Sequence, residues 1–150
     1  MPVNRDFRDL FAALNAEGAE YLLVGGYALA IHGRPRFTKD LDVWVRPEPA
    51  NAARVFAALA RFGAPLGGLK VEDLATPGVV FQIGVPPSRI DVLTAIDGVE
   101  FGDAWASRAR ATYGGETIGV IGRAHLLANK RATGRAQDAL DADELERDES

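Results

Sequence analysis

The chain has 150 residues, 47% of them hydrophobic and 25% charged, a balance that fits one compact globular domain with a real core. It holds no cysteine, which excludes disulfides, thiolate zinc sites and a cysteine nucleophile. The net charge of −4 is uneven: from Asp138 onward seven acids face Arg147 alone, leaving sixteen basic and fourteen acidic groups before them. That slightly basic body lacks the broad basic face needed to grip long duplex DNA, but it suits contact with an RNA end or a free nucleotide. No apolar run is long enough to cross a membrane and no basic-then-apolar leader opens the chain, so a cytoplasmic protein is expected.

In chain order, residues 4–16 set Phe7, Leu10, Phe11 and Leu14 at helical spacing, with Asn4 as cap and Gly18 at the exit. Residues 21–24 read as a short buried strand. After the diglycine turn Gly25-Gly26, residues 26–32 allow one or two helical turns, closed by Gly33 with Pro35 beyond. Residues 40–46 form a second strand, broken by Pro47 and Pro49, and 50–62 resume helical spacing through Val55, Ala58, Leu59 and Phe62. Residues 63–70 are a loop and 71–75 a helical turn. Residues 79–85 and 89–94 are strands paired through Pro86-Pro87-Ser88. A helix over 101–110, a hairpin of 111–113 with 116–120 on Gly114-Gly115, and helices at 123–133 and 136–146 complete the chain, whose end frays. The order predicts an α+β (mixed α/β) domain over residues 1–150, with helices packed on a mixed, mainly antiparallel sheet. Its core lies at about 20–120 and its C-terminal helical part at about 123–146.

The chemistry is concentrated in residues 24–45, VGGYALAIHGRPRFTKDLDVWV. Residues two apart on a strand face the same way, so Asp40 and Asp42 project together while Leu41 and Val43 turn into the core. Two parallel carboxylates resist joint ionisation and need a cation. An oxygen-only donor set suits hard Mg2+ or Mn2+. The diglycine turn and the basic residues between Gly33 and Asp40 point to phosphate as what the metal carries. Gly25 and Gly26 permit close backbone approach, and the following helix would aim its positive end at the anion. Asp91, in RIDVLT, faces opposite to Ile90 and Val92. If its strand lies beside that of Asp40 and Asp42, three carboxylates meet and form a two-metal site.

Ordinary readings stand beside these. An Asp-x-Asp can solvate a strand edge, and a diglycine can be a plain turn. Lys130 and Arg131 fit a solvated helix face, and the acidic tail a solvated helix end. His32 and His125 read as structural hydrogen bonders and Trp105 as core. Trp44 shares the parity of the acids and stands open between stacking on a base and lining the pocket rim.

The succession GG-Y-A, H-G, R-x-T-x-D-x-D and R-I-D-V-L-T resembles the nucleotidyltransferase (polymerase-β-like) superfamily. More narrowly, it is similar to small prokaryotic members, the minimal nucleotidyltransferases and the abortive-infection type nucleotidyltransferase toxins. Residues 126–145, LLANKRATGRAQDALDADEL, resemble that group's helical ending, so the likeness runs from Tyr21 to Leu145. It implies the nucleotidyltransferase fold and transfer of a nucleoside monophosphate from an NTP donor to a hydroxyl of RNA, protein or a small molecule, with two Mg2+ or Mn2+ ions. Asp40 and Asp42 would bind metal, and Asp91 would complete the site and act as general base. Gly25, Gly26 and Tyr27 would form the nucleotide-binding turn, the two glycines cradling the β- and γ-phosphates. Arg36, Thr38, Lys39 and Lys130 are further candidates for triphosphate or substrate contacts. The relatives imply a toxin–antitoxin setting, and the small size implies a partner protein or homo-oligomer for acceptor choice.

Two departures stand out. Where many relatives place a serine after the first glycine, Gly26 and then Tyr27 follow here, so backbone amides must suffice. Gln137 occupies a place where such relatives often carry a basic residue. Two rival readings are a binding module on the same fold, acting through a partner or a bound nucleotide, and an acid-metal phosphohydrolase that needs no acceptor.

Overall fold

Asn4 starts the first helix as expected, its Oδ1 accepting the backbone N–H groups of Asp6 and Phe7 at 2.9 and 3.2 Å. Helix α1 (Arg5–Ala16) then buries Phe7, Leu10, Phe11 and Leu14 along one stripe. The structure, a computed structural model, describes residues 3–33, 40–85 and 87–148. Beyond α1 the chain runs β1 (Tyr21–Val24), α2 (Gly25–Ile31), β2 (Asp40–Val45), α3 (Pro49–Phe62) and α4 (Val71–Leu74). It continues through β3 (Val80–Ile83), β4 (Arg89–Leu93), α5 (Phe101–Ala106), β5 (Ala109–Tyr113), β6 (Glu116–Val120), α6 (Arg123–Ala132) and α7 (Ala136–Asp148).

The six strands form one sheet in the order β3-β4-β2-β1-β6-β5. Pairs β1/β2, β3/β4 and β5/β6 are antiparallel, while β1/β6 and β2/β4 are parallel, which is the mixed, mainly antiparallel sheet predicted. One expected element is shorter. The helix over 101–110 stops at Ala106, because residues 109–113 alternate half-buried and exposed and pair with β6 instead. A period-two burial pattern with a partner strand outweighs the local helical reading.

Register sorts the side chains onto two faces. Tyr21, Leu23, Leu41, Val43, Val45, Ile90 and Val92 share one, and Phe11 of α1 stacks on Tyr21 with ring centroids 5.8 Å apart, so α1 covers it. Asn51 fastens α3 to the same end of the sheet. Its Oδ1 accepts from Glu20 N at 2.7 Å, and its Nδ2 donates to the carbonyls of Glu20 and Arg46 at 3.0 Å each. The opposite face carries Leu22, Val24 and Trp44 and ends in the acids. Trp44 is 1% exposed and packs edge-on against Phe101 at 4.9 Å, so it is a core residue, neither a base-stacking ring nor a rim. Its position opposite Leu22, under α5, decides this. Trp105 lies half-buried beneath Arg108, whose guanidinium carbon sits 3.8 Å from the ring centre.

Candidate active site

β2 and β4 run parallel in the register Asp40↔Arg89, Leu41↔Ile90 and Asp42↔Asp91. Neighbours in register face the same way, so Asp40, Asp42 and Asp91 rise from one face with Arg89 among them. The strand adjacency that the sequence left as a condition is met. Leu41, Val43, Ile90 and Val92 are buried below, which holds the two backbones in register and fixes where the acids emerge.

The carboxylates strain against one another. Burial, then the charges of Asp91 and Asp40, push the Asp42 carboxyl up to about 7, against the opposing pull of Lys130 and Arg89. Asp91 Oδ1 is buried and has no hydrogen-bond partner, as does Arg89 Nε, 3.5 Å away. The same Nε is 3.9 Å from Asp40 Oδ1. Among the described residues, no three His, Cys, Asp or Glu side chains are grouped closely enough to hold one metal ion. Arg89 supplies part of the charge that a cation would.

The turn from β1 into α2 passes directly over Asp42. Gly25 has φ +72°, and a Cβ there would run into Asp42 Oδ2. Only glycine fits both demands. Helix α2 begins at Gly25 itself, one residue earlier than the spacing suggested. Gly25, Gly26, Asp40 and Asp42 form one wall of a cavity of about 510 Å³, within the range of small-molecule sites. The α6–α7 corner forms the facing wall with Lys130, Thr133, Arg135, Gln137 and Asp138.

Lys130 reaches this cavity but is committed elsewhere. It is 6% exposed, and its Nζ lies 3.0 Å from Asp138 Oδ1 and 3.5 Å from Asp141 Oδ2. Asp138 also accepts from Thr133 Oγ1 and Arg135 Nε, each at 2.8 Å. Burial works against its ionisation, yet the hydrogen bonds from Lys130 and Thr133 hold its carboxyl below the usual range. The solvated-face reading of Lys130 and the solvated reading of Asp138 and Asp141 are thus corrected: these three are buried together. Tyr27 turns toward α1, its ring edge-on to Phe7 at 5.5 Å, and does not line the cavity. Arg36, Thr38 and Lys39 lie outside the described residues.

Two histidines behave as read. His32 Nε2 contacts the Ile121 carbonyl at 2.8 Å, and His125 Nδ1 contacts Ser107 Oγ at 3.0 Å. What the sequence reading missed is Arg89. Its signal was present, since it stands two residues before Asp91 and must share its face.

No known family model and no curated protein matches the chain. Among solved structures it is similar to a candidate nucleotidyltransferase from Thermotoga maritima, with a TM-score of 0.63 over 96% of this chain and 92% of that one, at 14% sequence identity. The fold is nucleotidyltransferase-like. At that identity the likeness is one of architecture. Within this nucleotidyltransferase-like fold, the oxygen donors that face together are those of Asp40, Asp42 and Asp91, and the cavity beside them is walled by a glycine turn. Oxygen donors alone, one of them an orphaned buried carboxylate oxygen, fit a hard divalent cation in kind.

Proposed function

We propose that the chain is a nucleotidyltransferase, moving a nucleoside monophosphate from an NTP to a hydroxyl acceptor with Asp40, Asp42 and Asp91 holding divalent metal, Mg2+ or Mn2+. The observation that carries this reading is the Asp42↔Asp91 register beneath the Gly25 turn, which crowds carboxylates at the edge of a cavity sized for a nucleotide. Bound at these oxygens, the metal would neutralise the carboxylates and supply charge stabilisation for the phosphoryl group and the leaving pyrophosphate.

The chain's own groups do the rest. The backbone at Gly25 and Gly26 lets the triphosphate lie against the turn, without a serine hydroxyl. Arg135 and Lys130 stand on the facing wall, both already paired with Asp138. Asp91 takes the proton of the acceptor hydroxyl as that oxygen bonds to the α-phosphorus. The bond from the α-phosphorus to the bridging oxygen breaks, and pyrophosphate leaves. The acceptor belongs to RNA, protein or a small molecule, chosen with a partner chain or a second copy, and the resemblance to small prokaryotic nucleotidyltransferases suits either half of a toxin–antitoxin pair. Among the described residues no helix is long and apolar enough to cross a membrane.

A second reading has one observation in its favour: Arg89 stands inside the acid cluster, its Nε 3.5 Å from Asp91 Oδ1 and 3.9 Å from Asp40 Oδ1. On that reading the fold binds a nucleotide or partner without turnover. Incubation with each α-labelled NTP, Mg2+ and host RNA or protein fractions separates the two, beside an Asp40→Asn/Asp42→Asn control. Label entering one fraction with the wild type only is the expected result and names donor and acceptor class. Mg2+-dependent NTP binding without label transfer supports the binding module, and free labelled monophosphate supports a phosphohydrolase.

A further inference from the structure

Arg89 is held differently from the half-buried Arg46 and the exposed Arg135. Arg46 Nε sits 2.8 Å from Glu20 Oε2 and Arg135 Nε 2.8 Å from Asp138 Oδ2, both directed hydrogen bonds. Arg89 Nε faces Asp91 Oδ1 at 3.5 Å and Asp40 Oδ1 at 3.9 Å, and makes a hydrogen bond to neither. At that spacing Coulomb attraction persists, but no hydrogen bond has to break for the guanidinium to leave. Its side chain is 35% exposed, so a path to solvent is open. Lys130, also close enough to act on Asp42, is tied to Asp138 and Asp141 and cannot take its place without abandoning them.

We propose that Arg89 is a resident counter-ion of the acid cluster, which a divalent cation must displace, so that competition with this guanidinium sets the affinity of the site for metal. The inference rests on the reading of Asp40, Asp42 and Asp91 as metal ligands. A fixed positive charge against two ligand oxygens steadies them while no metal is there and repels an incoming dication for the same reason. Arg89 is therefore a positioning residue. It keeps the bare site weak for free metal, and metal arriving with a triphosphate brings anions that can receive the displaced guanidinium.

The test is Mn2+ binding to the full chain without nucleotide, followed by the loss of free-Mn2+ paramagnetic signal, for wild type, Arg89→Gln, Arg89→Lys and Asp42→Asn. Arg89→Gln is expected to bind on the order of tenfold more tightly, because a like charge is removed from the site. Arg89→Lys keeps the charge and is expected to stay within roughly twofold of the wild type. Unchanged or weaker binding in Arg89→Gln, with wild-type binding still abolished by Asp42→Asn, overturns the counter-ion role and leaves the metal reading standing. No Mn2+ binding by wild type or Arg89→Gln sinks both. Should Arg89→Gln fail to fold, the wild type decides. The Arg89 Nε–Hε NMR resonance is expected to move on titration with Mg2+, and a resonance that stays in place through saturation overturns the proposal.

Discussion

Gly25 is where backbone and chemistry meet most tightly. Its positive φ would strain any L side chain, and the space a Cβ needs is filled by the Asp42 carboxylate. Gly25→Ala is expected to lower stability by roughly 1–3 kcal/mol, read as a shift in the urea midpoint at unchanged slope. It is also expected to weaken divalent binding, since the displaced part is Asp42 itself. A midpoint equal to the wild type would mean that the turn can move off Asp42 at little cost. The diglycine was visible in the sequence as a phosphate-approach signal, but its obligation to Asp42 was not, because only the folded β1–α2 turn brings the two together.

Among the elements, strands and helices were largely legible where hydrophobic period and breakers agreed. Strand β1 falls where it was expected, α1 follows its Asn4 cap, and α3 takes in Pro49 as a first-turn residue. The parity rule placed Asp40 and Asp42 on one face and turned Asp91 away from Ile90 and Val92, and the β2/β4 pairing then brought the three together. The α6–α7 corner was not legible. Its acids look like a solvated tail in sequence, because the burial of Asp138 and Asp141 depends on Lys130 arriving from the preceding helix. Lys130→Met removes the ammonium that neutralises two buried carboxylates, and the expected cost is about 3–5 kcal/mol in chemical denaturation. Adding Asp141→Asn to Lys130→Met is expected to recover part of it. A single variant as stable as the wild type would show that the pair is worth no more than a surface bridge.

For the molecule as a whole, the crowded site makes stability depend on pH in an unusual direction. Burial and the neighbouring carboxylates push the Asp42 carboxyl up to about 7 in the fold, from an ordinary value of 3.8. Between those values the native state holds a proton that the unfolded chain has released, so acid favours the fold. In the presence of a chelator, stability is expected to fall as pH rises from about 4 to about 7 and to level off above, by on the order of 2–4 kcal/mol. The difference between wild type and Asp42→Asn isolates the effect from other carboxylates, because the variant lacks the titration. A parallel pair of stability curves would refute the crowding.

The parallel pairing of β2 with β4 has a consequence for how the protein comes to exist. Asp40 and Asp42 leave the ribosome well before Asp91, and α3, α4 and β3 are made in between. The register that unites them is a long-range parallel contact, the kind that closes late in folding. A growing chain thus carries two of the three acids without Asp91, and acquires the third together with Arg89 on a single strand. Charge and counter-charge are delivered in one step, so the emerging protein never exposes the completed carboxylate cluster without a cation beside it.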